Sequence, residues 1–415
     1  MNASSADLTA SLLDDARELH PDIADLRHRL HQEPEVGLDL PRTQEKVLGW
    51  LDGLGYEITT GTDTTSVTAV LRGGGSDGSS GSADRPVVLL RGDMDALPVQ
   101  EETGQPFTST IDGVMHACGH DLHTSMLAGA ATLLAARRDR LAGDVVLMFQ
   151  PGEEGFDGAG VMLREGVLDA AGRRPDAAFG MHVASALAPT GVVFSRPGTM
   201  MSGSAGLDVT VEGVGGHGSM PFKAKDPVTV AAEIVTALQN LVTRRFDVFD
   251  PVVITVGSLH AGTKRNIIPD DARIEATLRS FSDTARARLA EIVPPLVRGI
   301  AESHGLTATV EYHDEYPVTV NDPQESDFAR GVVTELLGDR RYAAMPNPLA
   351  GSEDFSRVLA EVPGAFLFLS AVPDGVDHET AAFNHSARAT FDDNVLADGA
   401  ALYARLAIDR IAAGR

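Results

Sequence analysis

Three histidines, an aspartate and the only cysteine of the chain lie together in His116-Ala-Cys-Gly-His-Asp-Leu-His123. Thiolate and imidazole donors at such tight spacing suit a borderline-soft divalent ion such as zinc. A helical pattern from Thr124 to Ala136 starts directly after them, which puts the cluster on a turn at a helix N-terminus, where side chains converge. A lone cysteine is also commonly a small buried hydrophobe, so the weight falls on what lies downstream.

The elements that would position this chemistry are legible as continuous apolar runs, the mark of buried parallel strands. Pro86-Val-Val-Leu-Leu-Arg91 delivers Asp93 and Asp95; Asp144-Val-Val-Leu-Met-Phe149 delivers Glu153 and Glu154; Asp176-Ala-Ala-Phe-Gly-Met181 delivers His182. Each run sets polar residues at its carboxyl end, where open α/β sheets build their sites. Around them, 6–18 and 21–33 read as two helices and Pro41–Leu54 as an amphipathic helix ending at glycine. Strands are expected at 56–60 and 66–72, and Gly73–Ser82 is a glycine- and serine-rich surface insertion.

Near residue 200 the pattern changes to period-two alternation, in Ser204–Glu212 and again in Arg273–Ser280. With helices over 226–243 and 283–304 and strands over 252–260 and 307–314, the order is the β-α-β-β-α-β of a ferredoxin-like unit. The sequence therefore predicts an α/β protein: a discontinuous catalytic domain (1–200 and 317–415) whose mixed, mostly parallel sheet is flanked by helices, with an inserted α+β lid over 201–316. A helix near 325–337, the strand Ala365–Ser370 and a helix over 393–412 complete the first domain.

Composition narrows the function. The chain has 415 residues, 43% of them hydrophobic, and a net charge of −25. That acidity argues against nucleic acid, which wants a basic face, and against an anionic membrane surface. A single cysteine excludes an internal disulfide framework and suits a reducing compartment. With no signal-like N-terminus and no long apolar run, the expectation is a cytoplasmic protein.

Eight motifs occur in the order of one family: Arg91-Gly-Asp-Met-Asp-Ala-Leu-Pro98, Met115–His123, Gln150-Pro-Gly-Glu-Glu-Gly155, Gly180-Met-His182, Gly215-Gly-His-Gly-Ser-Met-Pro221, Asn266-Ile-Ile-Pro269, Gly351-Ser-Glu-Asp-Phe355 and Asn384-His-Ser386. From about Leu26 to the last helix the chain resembles the amidohydrolase branch of the aminoacylase and carboxypeptidase-G superfamily, which includes hippurate hydrolases and hydrolases of indole-acetyl amino acids. The resemblance implies two divalent metal ions per subunit, zinc or manganese foremost, with cobalt or nickel tolerated. It implies Cys118, His120, Glu154, His182 and His385 as ligands, a metal-bridging water as nucleophile and Glu153 as general base. Five side chains do not saturate two metals, which leaves positions open as catalysis requires.

The resemblance further implies that His217 polarises the scissile carbonyl, often across a dimer interface, and that Asn266 contacts substrate; Arg265 is a candidate for a substrate carboxylate. Asp93 and Asp95 stay open between orienting a ligand histidine or the arginine and forming an ordinary strand-end turn, Asp121 and His123 would hold ligands in place, and His116 stays open between a structural and a supporting role. Two departures bear on substrate preference: Phe222 follows Pro221 where relatives commonly carry histidine, and Ala387 follows Ser386 where proline is common. The implied activity is hydrolysis of the amide of an N-acyl amino acid or related small molecule by a homodimer joined through the lid. A deacetylase or dipeptidase on the same scaffold, or a catalytically silent binding protein, is the alternative.

Overall fold

The structure, a computed structural model, describes residues 8–75 and 85–414, so most of the glycine- and serine-rich insertion lies outside the described residues. The chain divides into two compact units: a larger one running to Gly198 and resumed over Val320–Asn347 and from Arg357 onward, and a smaller one of Thr199–Thr319 with Pro348–Ser356. The segment Pro348–Ser356, assigned to the catalytic part from sequence, thus clusters with the smaller unit.

In chain order the larger unit begins with helices α1 (Leu12–Gln32) and α2 (Pro41–Leu51) and strands β1 (Glu57–Thr60), β2 (Val67–Leu71) and β3 (Val87–Asp93). Helix α3 (His120–Ala135) and strands β4 (Asp144–Gln150), β5 (Ala177–Ala184) and β6 (Val193–Ser195) follow. The smaller unit holds β7 (Gly203–Glu212), α4 (Pro227–Arg245), β8 (Val252–Ala261), β9 (Asp271–Ser280), α5 (Asp283–Ser303) and β10 (Thr307–Tyr316). Back in the larger unit come α6 (Pro323–Leu337), β11 (Tyr342–Ala344), β12 (Gly364–Ser370) and α7 (Val395–Ala413).

The main sheet has the order β1-β2-β4-β3-β5-β12-β6-β11. Four of its seven pairings are parallel (β4–β3, β3–β5, β5–β12, β6–β11) and three antiparallel (β1–β2, β2–β4, β12–β6). Every residue of β2, β3, β4, β5 and β12 is buried, as their unbroken apolar runs require when both faces are covered. Helices α1, α3 and α7 supply Leu26, Leu30, Met126, Leu134, Leu402 and Leu406 to the same core.

One expectation fails. The two helices anticipated over 6–18 and 21–33 are a single helix, α1, with Pro21 inside it. Proline removes one intrahelical hydrogen bond, but Leu12, Ala16, Ile23, Leu26 and Leu30 form one buried stripe across it, and that continuous packing outweighs the local cost. A smaller difference concerns His182, expected just past a strand: β5 runs on to Ala184 and carries it inside.

In the smaller unit the sheet order is β8-β9-β7-β10, all antiparallel, the ferredoxin-like arrangement. Alternation sends Leu207, Val209, Val211, Ala272, Ile274 and Leu278 to one face, where α4 and α5 cover them with Ile234, Leu238, Leu289 and Val293. Both helices start at capping side chains: Asp226 accepts from Val228 N–H at 2.9 Å and Ser282 from Ala285 N–H at 3.0 Å.

Candidate metal centre

Residues 118 to 120 turn sharply into α3. Gly119 has φ 86°, and a Cβ there would lie 2.4 Å from Val183 Cγ2, so only glycine fits between Cys118 and His120. His120, the first residue of α3, is fully buried, and neither ring nitrogen has a hydrogen-bond partner. The negative groups nearest to it are Asp95 Oδ1 at 3.4 Å, Asp93 Oδ2 at 3.5 Å and Glu154 Oε1 at 4.0 Å.

The remaining expected ligands of this unit converge on the same place. His182 Nε2 lies 3.3 Å from Cys118 Sγ, and His385 Nε2 lies 3.1 Å from Glu154 Oε1. Cys118, His120 and His182 form one group with donor atoms within 4.8 Å of one another; Cys118, Glu154 and His385 form a second, and His120, Glu153 and Glu154 a third. The groups share members, so Glu153 stands beside the five expected ligands. His385 adopts the left-handed region at φ 73°, a conformation that costs a non-glycine residue on the order of 1–3 kcal/mol. Its N–H donating to Ala117 O at 2.8 Å holds it there.

The backbone of the two glutamates is fixed by Asp95, whose Oδ1 accepts from Glu153 N–H and Oδ2 from Glu154 N–H, both at 3.0 Å. Asp93 is held by Arg91, whose Nη1 donates to it at 2.6 Å while Nε donates to Gln150 Oε1 at 2.9 Å. Beneath the turn, Arg27 Nε donates to Asp121 Oδ2 at 2.9 Å and His31 Nδ1 meets the same oxygen at 2.9 Å. Arg27 and His31 were not singled out from the sequence. Their signal was present: two polar residues one helical turn apart beside Leu26 and Leu30, on the apolar side of an amphipathic helix.

His123, expected to support a ligand and not to be one, has both ring nitrogens taken by hydrogen bonds. Its Nε2 accepts from Val183 N–H at 2.7 Å, so Nδ1 carries the proton and donates to Asp93 Oδ1 at 2.5 Å. His182 is oriented the other way: Nδ1 donates to Val183 O at 2.7 Å, leaving the Nε2 lone pair toward Cys118. Fixing one imidazole nitrogen on a carbonyl is how metal-binding histidines are held in one tautomer. His116 is buried with both nitrogens unpartnered, and its own burial, more than any neighbour, pushes its pKa down to about 3.

The electrostatics ask for a cation. Burial, then the Glu154 charge, pushes the Cys118 thiol up. Burial and then the neighbouring His123 and His120 hold His182 well below its usual range, neutral with a free lone pair. For His120, burial acts downward but is outweighed, first by Asp93 and then by Cys118, so the ring is drawn well above its usual range. Hydrogen bonding to Cys118 and Glu154 pushes His385 up to about 10. Buried acids that pull protons onto imidazoles mark a place where a divalent ion would supply the missing positive charge. The unpartnered nitrogens of His120 are the groups such an ion would satisfy, so the residues fit the expected metals.

His217, Asn266 and Arg265 belong to the smaller unit, and all three are exposed. His217 pairs with Ile267 in a short two-residue ladder, and Gly218 N–H donates to Asn266 O at 2.9 Å, so this unit brings the His217 loop and Asn266 together. Ser219 N–H donates to His217 Nδ1 at 3.1 Å, which leaves Nε2 as the proton-bearing nitrogen of the ring.

Soft and hard donors gathered at the carboxyl ends of adjacent parallel strands, with a further carboxylate beside them, define a metal-dependent hydrolase. The chain belongs to peptidase family M20/M25/M40, whose model matches residues 89–409, and it is a metal-dependent amidohydrolase. It is 36% identical over 409 residues to thermostable carboxypeptidase 1 of Saccharolobus solfataricus, covering 97% of this chain and 98% of that protein. It is 35% identical over 401 residues to the hippurate hydrolase of Campylobacter jejuni, covering 96% and 99%. Among solved structures it resembles a dinuclear metal-binding peptidase of family M20 from Bacillus subtilis, with TM-score 0.78, 30% identity and coverage of 95% of this chain and 99% of that one. No described helix is long and apolar enough to cross a membrane.

Proposed function

We propose that this chain hydrolyses the amide bond of N-acyl amino acids, with Cys118, His120, Glu154, His182 and His385 holding two divalent ions and Glu153 as general base. The observation that carries the reading is the convergence of those five side chains around Glu153, set beside relatives named for hippurate and carboxypeptidase activity. Thiolate and imidazole donors favour zinc over harder ions, with manganese the second expectation.

When bound, the ions supply Lewis acidity and bring the pKa of water to about 7. The chain does the rest. Asp95 fixes the backbone of Glu153 and Glu154, so Glu153 is set to take a proton from the attacking water and return it to the leaving nitrogen. His217, with Nε2 as donor, is assigned to the oxyanion that develops on the scissile carbonyl; Asn266 and Arg265 are assigned to substrate contacts. The smaller unit is assigned to dimerisation with a second copy of this chain. Strand β8 is an edge of its sheet with Val253 and Leu259 exposed, an open row of backbone groups of the kind that pairs with a partner.

The test is a screen of N-acetyl, N-benzoyl and N-indoleacetyl amino acids with metal-loaded protein, alongside Glu153→Gln. Turnover of at least one class, lost by roughly 10²–10⁴-fold in Glu153→Gln with metal content unchanged, is expected. Loss of metal in Glu153→Gln with metal and activity intact in Glu154→Gln would exchange the two roles.

A further inference from the structure

Two residues outside the assigned ligand and base set meet at one backbone residue. Val183 follows His182, and each of its backbone groups is held by a side chain from elsewhere in the larger unit. Its N–H is taken by His123 Nε2 at 2.7 Å. Its carbonyl receives the His182 Nδ1–H at 2.7 Å and the Asn384 amide at 3.0 Å. Asn384 also donates to Cys118 O at 3.0 Å, and its Oδ1 accepts from Ser185 N–H at 3.0 Å. The amide orientation follows from those partners, since two carbonyls only accept and a backbone N–H only donates.

We infer that His123 and Asn384 are positioning residues that aim His182, and with it the Cys118 turn, by gripping Val183 from both sides. The inference rests on the ligand reading above and deepens it. His123 is anchored behind by Asp93 at 2.5 Å, itself held by Arg91 at 2.6 Å, so the grip on the Val183 N–H ends in a fully buried ion pair. Asn384 precedes His385 and so ties three ligand-bearing segments with one side chain: the Cys118 turn, the end of β5 and the His385 loop. Groups that orient metal ligands typically account for 10–100-fold in affinity.

Zinc dissociation constants, measured by chelator competition on the full chain, test this. The set is wild type, Cys118→Ser, His182→Ala, His123→Gln, Asn384→Asp and the His123→Gln/His182→Ala double variant. Asn384→Asp keeps the shape and the acceptor for Ser185 while turning the donor into a charge facing two carbonyls. We expect roughly 10–100-fold weaker zinc in His123→Gln and Asn384→Asp, with altered absorption of the cobalt-loaded proteins. We also expect less than twofold further loss when His123→Gln is added to His182→Ala, because the effect runs through His182.

Zinc affinity within twofold of wild type in both single variants, while Cys118→Ser loses it, overturns this inference and leaves the ligand reading standing. Unchanged zinc binding in Cys118→Ser takes both down. An equal loss from His123→Gln with and without His182 makes its role purely structural and overturns the inference. Should the buried His123→Gln fail to fold, the half-buried Asn384→Asp carries the test alone.

Discussion

The residues expected to do chemistry are built into two regions by opposite means. In the larger unit Cys118, His120 and Glu153 are buried, and the expected ligands are hydrogen-bonded to groups behind them: the glutamate backbone to Asp95, His182 to Val183 O, His385 to Ala117 O. In the smaller unit His217, Arg265 and Asn266 are exposed, and the His217 loop, with glycine on both sides of the histidine, is tied mainly by backbone contacts. The buried set is pre-arranged, as a multidentate metal site needs, since a small misplacement of one donor weakens the whole. The exposed set offers one donor on an adjustable loop. The difference teaches where a defect should appear: in metal affinity for the first region, in turnover for the second.

The largest expected effect is on the buried side. Exhaustive chelation should abolish hydrolysis and added zinc or manganese restore it, and Cys118→Ser should lose metal by elemental analysis; full activity without metal would erase the contrast. Next comes His217→Ala, expected to lower kcat by about 10²–10³ with metal content intact, read by steady-state kinetics beside elemental analysis. A matching loss of metal in His217→Ala would show that the exposed loop is part of the centre's framework. Mixing Glu153→Gln with His217→Ala subunits sharpens the same point, because recovered activity in proven heterodimers requires His217 to act in trans.

The smallest effect is on stability. Burial opposes the charged form of His31, but the Asp121 carboxylate outweighs it, and His31 is pushed up to about 9. A folded pKa above the unfolded value contributes stability that is present below about 6.5 and lost as pH rises through about 9, on the order of 3 kcal/mol at most. Urea unfolding of metal-free protein across that window should show the decline, and His31→Gln should flatten it.

Much of this was readable in the chain. The apolar runs of β3, β4 and β5 located the site because a strand buried on both faces has no other way to be written, and alternation did the same for the sheet of the smaller unit. The break assumed at Pro21 was not real, because a buried stripe longer than the local signal overrode proline. Arg27, His31 and the staple made by Asn384 were illegible for a different reason. Their meaning lies in partners up to 366 and 266 residues away, and spacing along the chain carries no record of that. His123 was expected to support a ligand, but nothing in the sequence showed that its Nε2 would take the Val183 N–H.

Strand β12 has a consequence for how the molecule is made. It enters the middle of the main sheet, between β5 and β6, yet it is synthesised after the whole of the smaller unit, and His385 and α7 come later still. During synthesis the nascent larger unit holds β5 with an open edge while the ferredoxin-like unit, whose strands are contiguous in the chain, is free to fold first. Contacts of such long sequence separation form slowly, and exposed strand edges in partly made chains invite misassociation. On the proposed ligand set, the metal centre is complete only when the last tenth of the polypeptide, with His385, has been made.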